Sequence, residues 1–311
     1  MAIYTDSPNF LKSLYPLSSR IDPGSSDSLG PGLSELSSRI FGEKSLYSNQ
    51  TELQESFSVL FAVESAPSSH YDLLIEFCRE EIVLPDGTLC LAGSSDRFHG
   101  QRGRPWLSLP GNIHLAVYLV PHRPVRNFGV GFSILAAVSL VETIDRIPDL
   151  DGEAGIKWVN DILIKDSKVA GFLAFTQSQD EIIQTAVLGI GLNVEQAPKI
   201  QVDHFVPAAS SLWNFVSDPS VCELKDVFPI LLERLSLNYK LLMNDGCVEL
   251  LDRYRKRSVV LGKEVIIRSD PVDGETEDIA RGKVLEIGQN LELFIEGRVE
   301  PVWSGRLILL A

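Results

Sequence analysis

Apolar residues along this chain recur in two periods. Short apolar runs bounded by turn signals predict strands over 58–65 (SVLFAVES) and 88–94 (TLCLAGS), and two-residue alternation with β-branched side chains predicts one over 112–120 (NIHLAVYLV). Between the first two, residues 68–81 carry apolar positions at helical spacing, with Ser68 or Ser69 as the cap. The stretch 130–147 is apolar nearly all round, and Leu135, Val138, Leu140 and Val141 keep helical register, which predicts a buried helix. Two strands follow about a KDSK turn at 165–168, and 185–194 (TAVLGIGLNV) reads as another strand. Residues 219–256 are helical again and end in the basic run RYRKR. Beyond Ser258, short strands joined by turns predict a small SH3-like β-barrel. Strands linked by hairpin-length connections, with helices in separate blocks, imply an α+β fold: a mixed or antiparallel sheet packed with helices. The expected organisation is a Ser-rich N-terminal appendage over 1–56, a main domain over 57–257 and the C-terminal barrel over 258–311.

The appendage holds thirteen serines, four basic and seven acidic residues, and short helices are expected near 9–14 and 32–40. Such a composition stabilises its own ordering poorly, so the segment must dock on something else. Its negative balance also disfavours a helix-turn-helix reader. For the whole chain, 28 basic against 42 acidic residues give a formal charge of -14 over 311 residues, which argues against nucleic acid or an anionic membrane as partner. Four cysteines without CxxC spacing, and five histidines without HxH or HExxH spacing, argue against structural zinc and for free thiols in a reducing compartment. The opening MAIYTDSPNF lacks a basic flank and an apolar core, so a cytoplasmic location is the expectation.

Three segments carry chemistry. In Gly100-Gln101-Arg102-Gly103-Arg104-Pro105-Trp106, two glycines let backbone approach a ligand, two arginines suit a phosphate or carboxylate, and the indole can cover a ring. An exposed basic turn with a merely packed tryptophan is the plain alternative. The KWVND segment (157–161) and Lys168 lie on either side of a predicted turn, which brings Asp161 near Lys168 if the strands pair. The third, GIGLN at 189–193, is by itself no more than a closely packed strand end.

Taken in order, these segments resemble biotin protein ligases of the biotin/lipoate ligase superfamily. That family's GRGRxGRxW loop stands here as FHGQRGRPW (98–106), its KWPND box as KWVND, its KxAGIL strand as KVAGFL (168–173), its GxGxN strand as GIGLN and its ATSL as AASSL (208–212). The resemblance implies an enzyme without a DNA-binding domain that joins biotin to ATP as biotinyl-5′-AMP and transfers biotin to a lysine of a carboxylase's biotin carboxyl carrier domain. It implies ATP, biotin and Mg²⁺ as ligands, and a monomer or homodimer. Lys168 and Arg104 take catalytic roles by that likeness and Asp161 faces the metal. Ser68, Gly100, Gln101, Arg102, Gly103, Trp106, Lys157, Asn160 and Asn193 surround biotin or nucleotide.

Five positions depart from the family pattern. Phe98, His99 and Gln101 stand where it has Gly, Arg and Arg, Ser95 where it commonly has Gln, and His70 replaces the Asn of its STN segment. A charge-assisted bond to phosphate is worth about 1.5–3 kcal/mol, so Gln101 implies looser retention of the adenylate unless Arg102 or Arg97 substitutes. The same departures leave open a ligase or transferase for lipoate or octanoate, and a non-catalytic binding protein on the same scaffold.

Overall fold

The computed structural model describes residues 1–15, 21–24, 29–51, 56–125, 127–180, 182–199, 208–270 and 276–310. The chain begins with β1 (Ala2–Thr5), α1 (Pro8–Leu14), β2 (Asp22–Pro23), α2 (Pro31–Phe41) and β3 (Tyr47–Gln50). It continues through β4 (Val59–Ser65), α3 (His70–Arg79), β5 (Thr88–Ser94), β6 (Ile113–Leu119), β7 (Arg123–Pro124) and α4 (Phe128–Ile144). Strands β8 (Ala154–Lys157), β9 (Asp161–Ile164), β10 (Ser167–Gln179) and β11 (Ile182–Leu192) precede α5 (Leu224–Met243) and α6 (Cys247–Lys256). The chain closes with β12 (Glu264–Arg268), β13 (Asp278–Ile287), β14 (Leu293–Ile295) and β15 (Arg306–Leu309).

Strands one to eleven form one sheet, ordered β2-β3-β1-β4-β5-β6-β11-β10-β9-β8 with β7 beside β11. Only β1–β4 and β4–β5 pair in parallel among the described strands; the other pairs are antiparallel. Both faces are covered, and the two-residue period sorts side chains between them. From β4, Leu60 and Ala62 join Phe132, Leu135 and Phe228 of α4 and α5, while Val59, Phe61 and Val63 join Leu36, Ile40, Leu74 and Phe77 of α2 and α3. The buried helix expected over 130–147 is α4, and the helical 219–256 breaks at Asn244–Gly246, where Asp245 turns to φ 60°.

The N-terminal segment, expected to be an appendage, docks on this sheet. Strand β1 inserts between β3 and β4, and Ile3, Leu11 and Leu14 are fully buried. Its polar composition concealed a sparse but sufficient set of apolar anchors. At the other end, the four C-terminal strands form a separate antiparallel sheet, β14-β13-β12-β15, consistent with the expected small barrel. It is tied to the larger sheet by Trp158 Nε1 donating to Leu291 O at 2.6 Å, Arg255 Nε to Ile287 O at 2.8 Å and Asn127 Nδ2 to Gln289 O at 3.0 Å. No helix among the described residues is long and apolar enough to cross a membrane.

Candidate active site

A cavity of about 350 Å³ opens between the N-terminal end of α3, the loop 95–106 and strands β6, β10 and β11, within the usual range for small-molecule sites. The loop is a closed flap. Its base is pinned where Ser95 N donates to Ser108 Oγ at 2.9 Å, and its arms meet through Trp106 N to Phe98 O at 2.9 Å and Gly100 N to Arg104 O at 2.7 Å. At the tip, Arg102 (φ 61°) and Gly103 (φ 70°) turn the chain through two successive left-handed residues, which Gly103 adopts freely.

Lys168 and Asp161 meet as their spacing predicted. The hairpin registers Asp161 opposite Gly171, with an irregularity after Lys168. Lys168 bends back across Gly171, where a Cβ would lie 3.1 Å from both its Cε and Nζ, and its ammonium reaches Asp161 Oδ1 at 2.5 Å. The 208–212 stretch clamps this position: Lys168 N donates to Ala208 O and Ser210 N to Lys168 O. Nζ also lies 5.5 Å from the centre of the Trp106 ring, under the flap. Lys168 keeps 23% of its side-chain surface and Asp161 20%, so the pair is sheltered, and Lys168 lines the cavity. Nearby, Lys157 is buried at the end of β8. Burial lowers its pKa, Asp161 raises it, and Lys168, Arg104 and Arg306 lower it further. Cations thus gather around one carboxylate, a field suited to a polyanion.

The indole of Trp106 is held from below. Its Nε1 donates to His114 Nδ1 at 3.2 Å, and His114 Nε2 in turn meets Leu109 O at 3.1 Å, which fixes a neutral imidazole protonated on Nε2. Burial drives the His114 pKa down to about 4, in keeping with that tautomer. The indole edge rests on Gly191, where a Cβ would sit 2.4 Å from a ring carbon. Two further histidines line the cavity. His99, at the flap, binds Asp72 Oδ2 of α3 through Nε2 at 2.6 Å and Gly100 O through Nδ1 at 3.0 Å. The Gly100 carbonyl first, then the Asp72 carboxylate, hold its pKa above the ordinary value against partial burial. His70 is fully buried with neither ring nitrogen paired, and burial lowers its pKa to about 4. The Phe98 ring centre lies 6.1 Å from that of His70 and 5.9 Å from that of His114.

Of the residues singled out in the sequence, Gly100, Gln101, Arg104, Trp106, Asn160, Lys168 and Asn193 line the cavity. Asn160 is structural as well, since its Nδ2 donates to Phe172 O at 2.8 Å. Asn193 is buried with Nδ2 on Ser210 O and Oδ1 unpaired. Arg102 and Gly103 line an adjoining groove instead, and Arg102 pairs with Asp270. Asp161 and Lys157 reach the site through their charges, whereas Ser68 is exposed and its neighbour Ser69, which caps α3, lines the cavity. No cluster of three or more His, Cys, Asp or Glu that would hold a metal by itself occurs among the described residues. A single half-sheltered carboxylate such as Asp161 nonetheless fits Mg²⁺, which takes one or two carboxylates and its remaining ligands from phosphates and water. The link from Trp106 to His114 was not legible in the sequence, because a buried histidine supporting a tryptophan leaves no local pattern.

The family model for the biotin/lipoate A/B protein ligase family matches residues 84–193, which hold the flap, the lysine hairpin and the glycine strand. A bifunctional ligase/repressor BirA from Bacillus subtilis is 33% identical over 129 residues, 41% of this chain but 39% of the relative, so the match spans about two-fifths of that relative's length. A biotin--[acetyl-CoA-carboxylase] ligase from Mycobacterium tuberculosis is 28% identical over 230 residues, 72% of this chain and 80% of that one. Among solved structures, a biotin protein ligase from Aquifex aeolicus in complex with biotin and ATP shares the fold at TM-score 0.58 and 22% identity, covering 82% of this chain and 99% of the other. Residues 84–193 thus resemble the biotin/lipoate A/B protein ligase family, and the chain shares the fold of the solved biotin protein ligase.

Proposed function

We propose that the protein is an ATP-dependent biotin–protein ligase. In the first step a carboxylate oxygen of biotin attacks the α-phosphorus of ATP, the bond to the bridging oxygen of the β-phosphate breaks, and pyrophosphate leaves. In the second, a lysine amine of a carboxylase's biotinyl carrier domain attacks the acyl carbon, AMP departs with the bridging oxygen, and the amine proton passes to solvent. The observation that carries this reading is the Lys168 ammonium, held by Asp161 at 2.5 Å beneath the Trp106 indole. Two anions must meet in the first step, and a fixed cation in a water-poor cavity lowers that barrier more than one in water does. Arg104 lines the same cavity from the flap and suits the phosphate side. Mg²⁺ beside Asp161 would neutralise charge on the nucleotide phosphates. The Trp106 indole on the flap supports the remaining requirement, that the mixed anhydride be shielded from water until the amine arrives.

His70 favours biotin over lipoate or octanoate. A buried imidazole with two unpaired nitrogens is costly, about 1–3 kcal/mol for each unmet group, and an acid with a hydrogen-bonding head relieves that cost where an aliphatic one does not. The test is ATP–pyrophosphate exchange with biotin, lipoate and octanoate separately. Exchange with biotin is expected; exchange only with another acid transfers the assignment to that acid, and none with any acid leaves a binding protein. Lys168→Ala is expected to lower biotin-dependent exchange by about 10²- to 10³-fold, as for removal of a preorganised electrostatic donor, with a thermal midpoint within a few degrees of the parent's. Survival of the activity would remove Lys168 from the reaction.

A further inference from the structure

The flap carries one arginine that the cavity does not use. Arg104 lines the cavity, but Arg102, two residues earlier, points across an adjoining groove to an ion pair with Asp270. Asp270 follows β12, so its carboxylate belongs to the C-terminal sheet, 168 residues away in sequence. That sheet is a fixed post, because Trp158, Arg255 and Asn127 all bond its backbone. The groove shares His99, Gly100, Gln101 and Asn160 with the cavity, so Arg102 stands one turn of loop away from it.

We propose that Asp270 is a positioning residue that withholds Arg102 from the cavity, so that the C-terminal sheet sets how firmly the flap retains an acyl-adenylate. The inference rests on the adenylation reading. A guanidinium can bind a carboxylate or a phosphate through the same forked geometry, and the two compete for Arg102. Gln101 lines the cavity without a charge, and Arg102 is the flap cation next to it in the chain. The pair is half-exposed, at 34% and 49% of side-chain surface. A pair this exposed biases its arginine by at most about fivefold, and salt screens the bias. It is therefore a brake rather than a lock.

The experiment uses the full chain, with biotinyl-adenylate formed from biotin and ATP, and follows its escape by labelling of a bystander amine. Asp270→Asn is expected to slow escape about two- to fivefold at low salt, with the difference shrinking near 1 M salt. Arg102→Gln alone should leave escape near the parent rate, and the double variant should lose the gain. Unchanged or faster escape in Asp270→Asn overturns the proposal, as does a several-fold faster escape in Arg102→Gln, which would show the arginine already at work on the phosphate. Absence of any adenylate from the parent protein would overturn the underlying ligase reading instead, and the brake with it. Thermal midpoints of the three variants identify any that fail to fold.

Discussion

Gly191→Ala tests whether the Trp106 indole must lie where it does. A Cβ on residue 191 would meet Trp106 ring atoms at 2.4 and 2.5 Å and Nε1 at 3.0 Å, all from one side. The ring is wedged by the flap and cannot swing like a chain end, so it must retreat by about 1 Å to reach ordinary contact, an overpacking change that costs about 1–3 kcal/mol. The retreat stretches the 3.2 Å bond to His114 beyond hydrogen-bond reach and leaves a buried acceptor unpaired. At roughly 2–4 °C of midpoint per kcal/mol, calorimetry or thermal fluorescence resolves the destabilisation. Misplacement of a positioning group by about 1 Å is worth up to ~10²-fold in rate, so biotin-dependent exchange is expected to fall by that order. Gly171→Ala is the internal comparison: its Cβ meets the flexible end of Lys168 at 3.1 Å and the indole only at 3.5 Å, so it should cost less stability. If Gly191→Ala keeps exchange within about threefold of the parent, the indole is not a positioned cover and the reasoning fails.

Acid sensitivity follows from the histidines. His70 and His114 hold pKa values near 4 when folded against 6.5 ordinarily, so between those values the unfolded chain binds protons that the folded one refuses, and stability falls as pH drops from 6.5 towards 4. His99 opposes this: its raised pKa contributes stability that is complete below 6.5 and lost as pH rises through the raised value. His70→Leu should therefore make the acid-side decline of the thermal midpoint shallower, and an unaltered slope would mean that the His70 imidazole titrates normally in the fold. Trp158→Phe should lower the midpoint and hasten proteolysis of the C-terminal sheet, because Leu291 O loses its buried donor at a cost of about 1–3 kcal/mol; equal protease resistance would refute that anchoring role.

Local pattern revealed much of this molecule. Strands with buried alternation, the α4 stretch and the lysine hairpin were all legible, because each depends on neighbours within a few residues. The Lys168–Asp161 pair was legible for the same reason, a short turn between two strands. Contacts between distant segments were not. Ser-rich residues at the N-terminus conceal β1, whose parallel pairing with β4 is set by burial of Ile3 and the helix behind it. Ser68 and Ser69 are indistinguishable as caps in sequence, and only the helix geometry turns Ser69 towards the cavity. Arg102 looked like a phosphate ligand by spacing alone, whereas its carboxylate partner lies beyond α6 and β12.

The seating of β1 has a consequence for biosynthesis. Its four residues pair with 47–50 on one side and with 59–62 on the other, so during synthesis β1 emerges some forty to fifty residues before either partner strand. Strand β1 must wait, unzipped, for later strands to receive it, and a chaperone or a slow codon acting in that interval would govern whether this side of the sheet assembles in order.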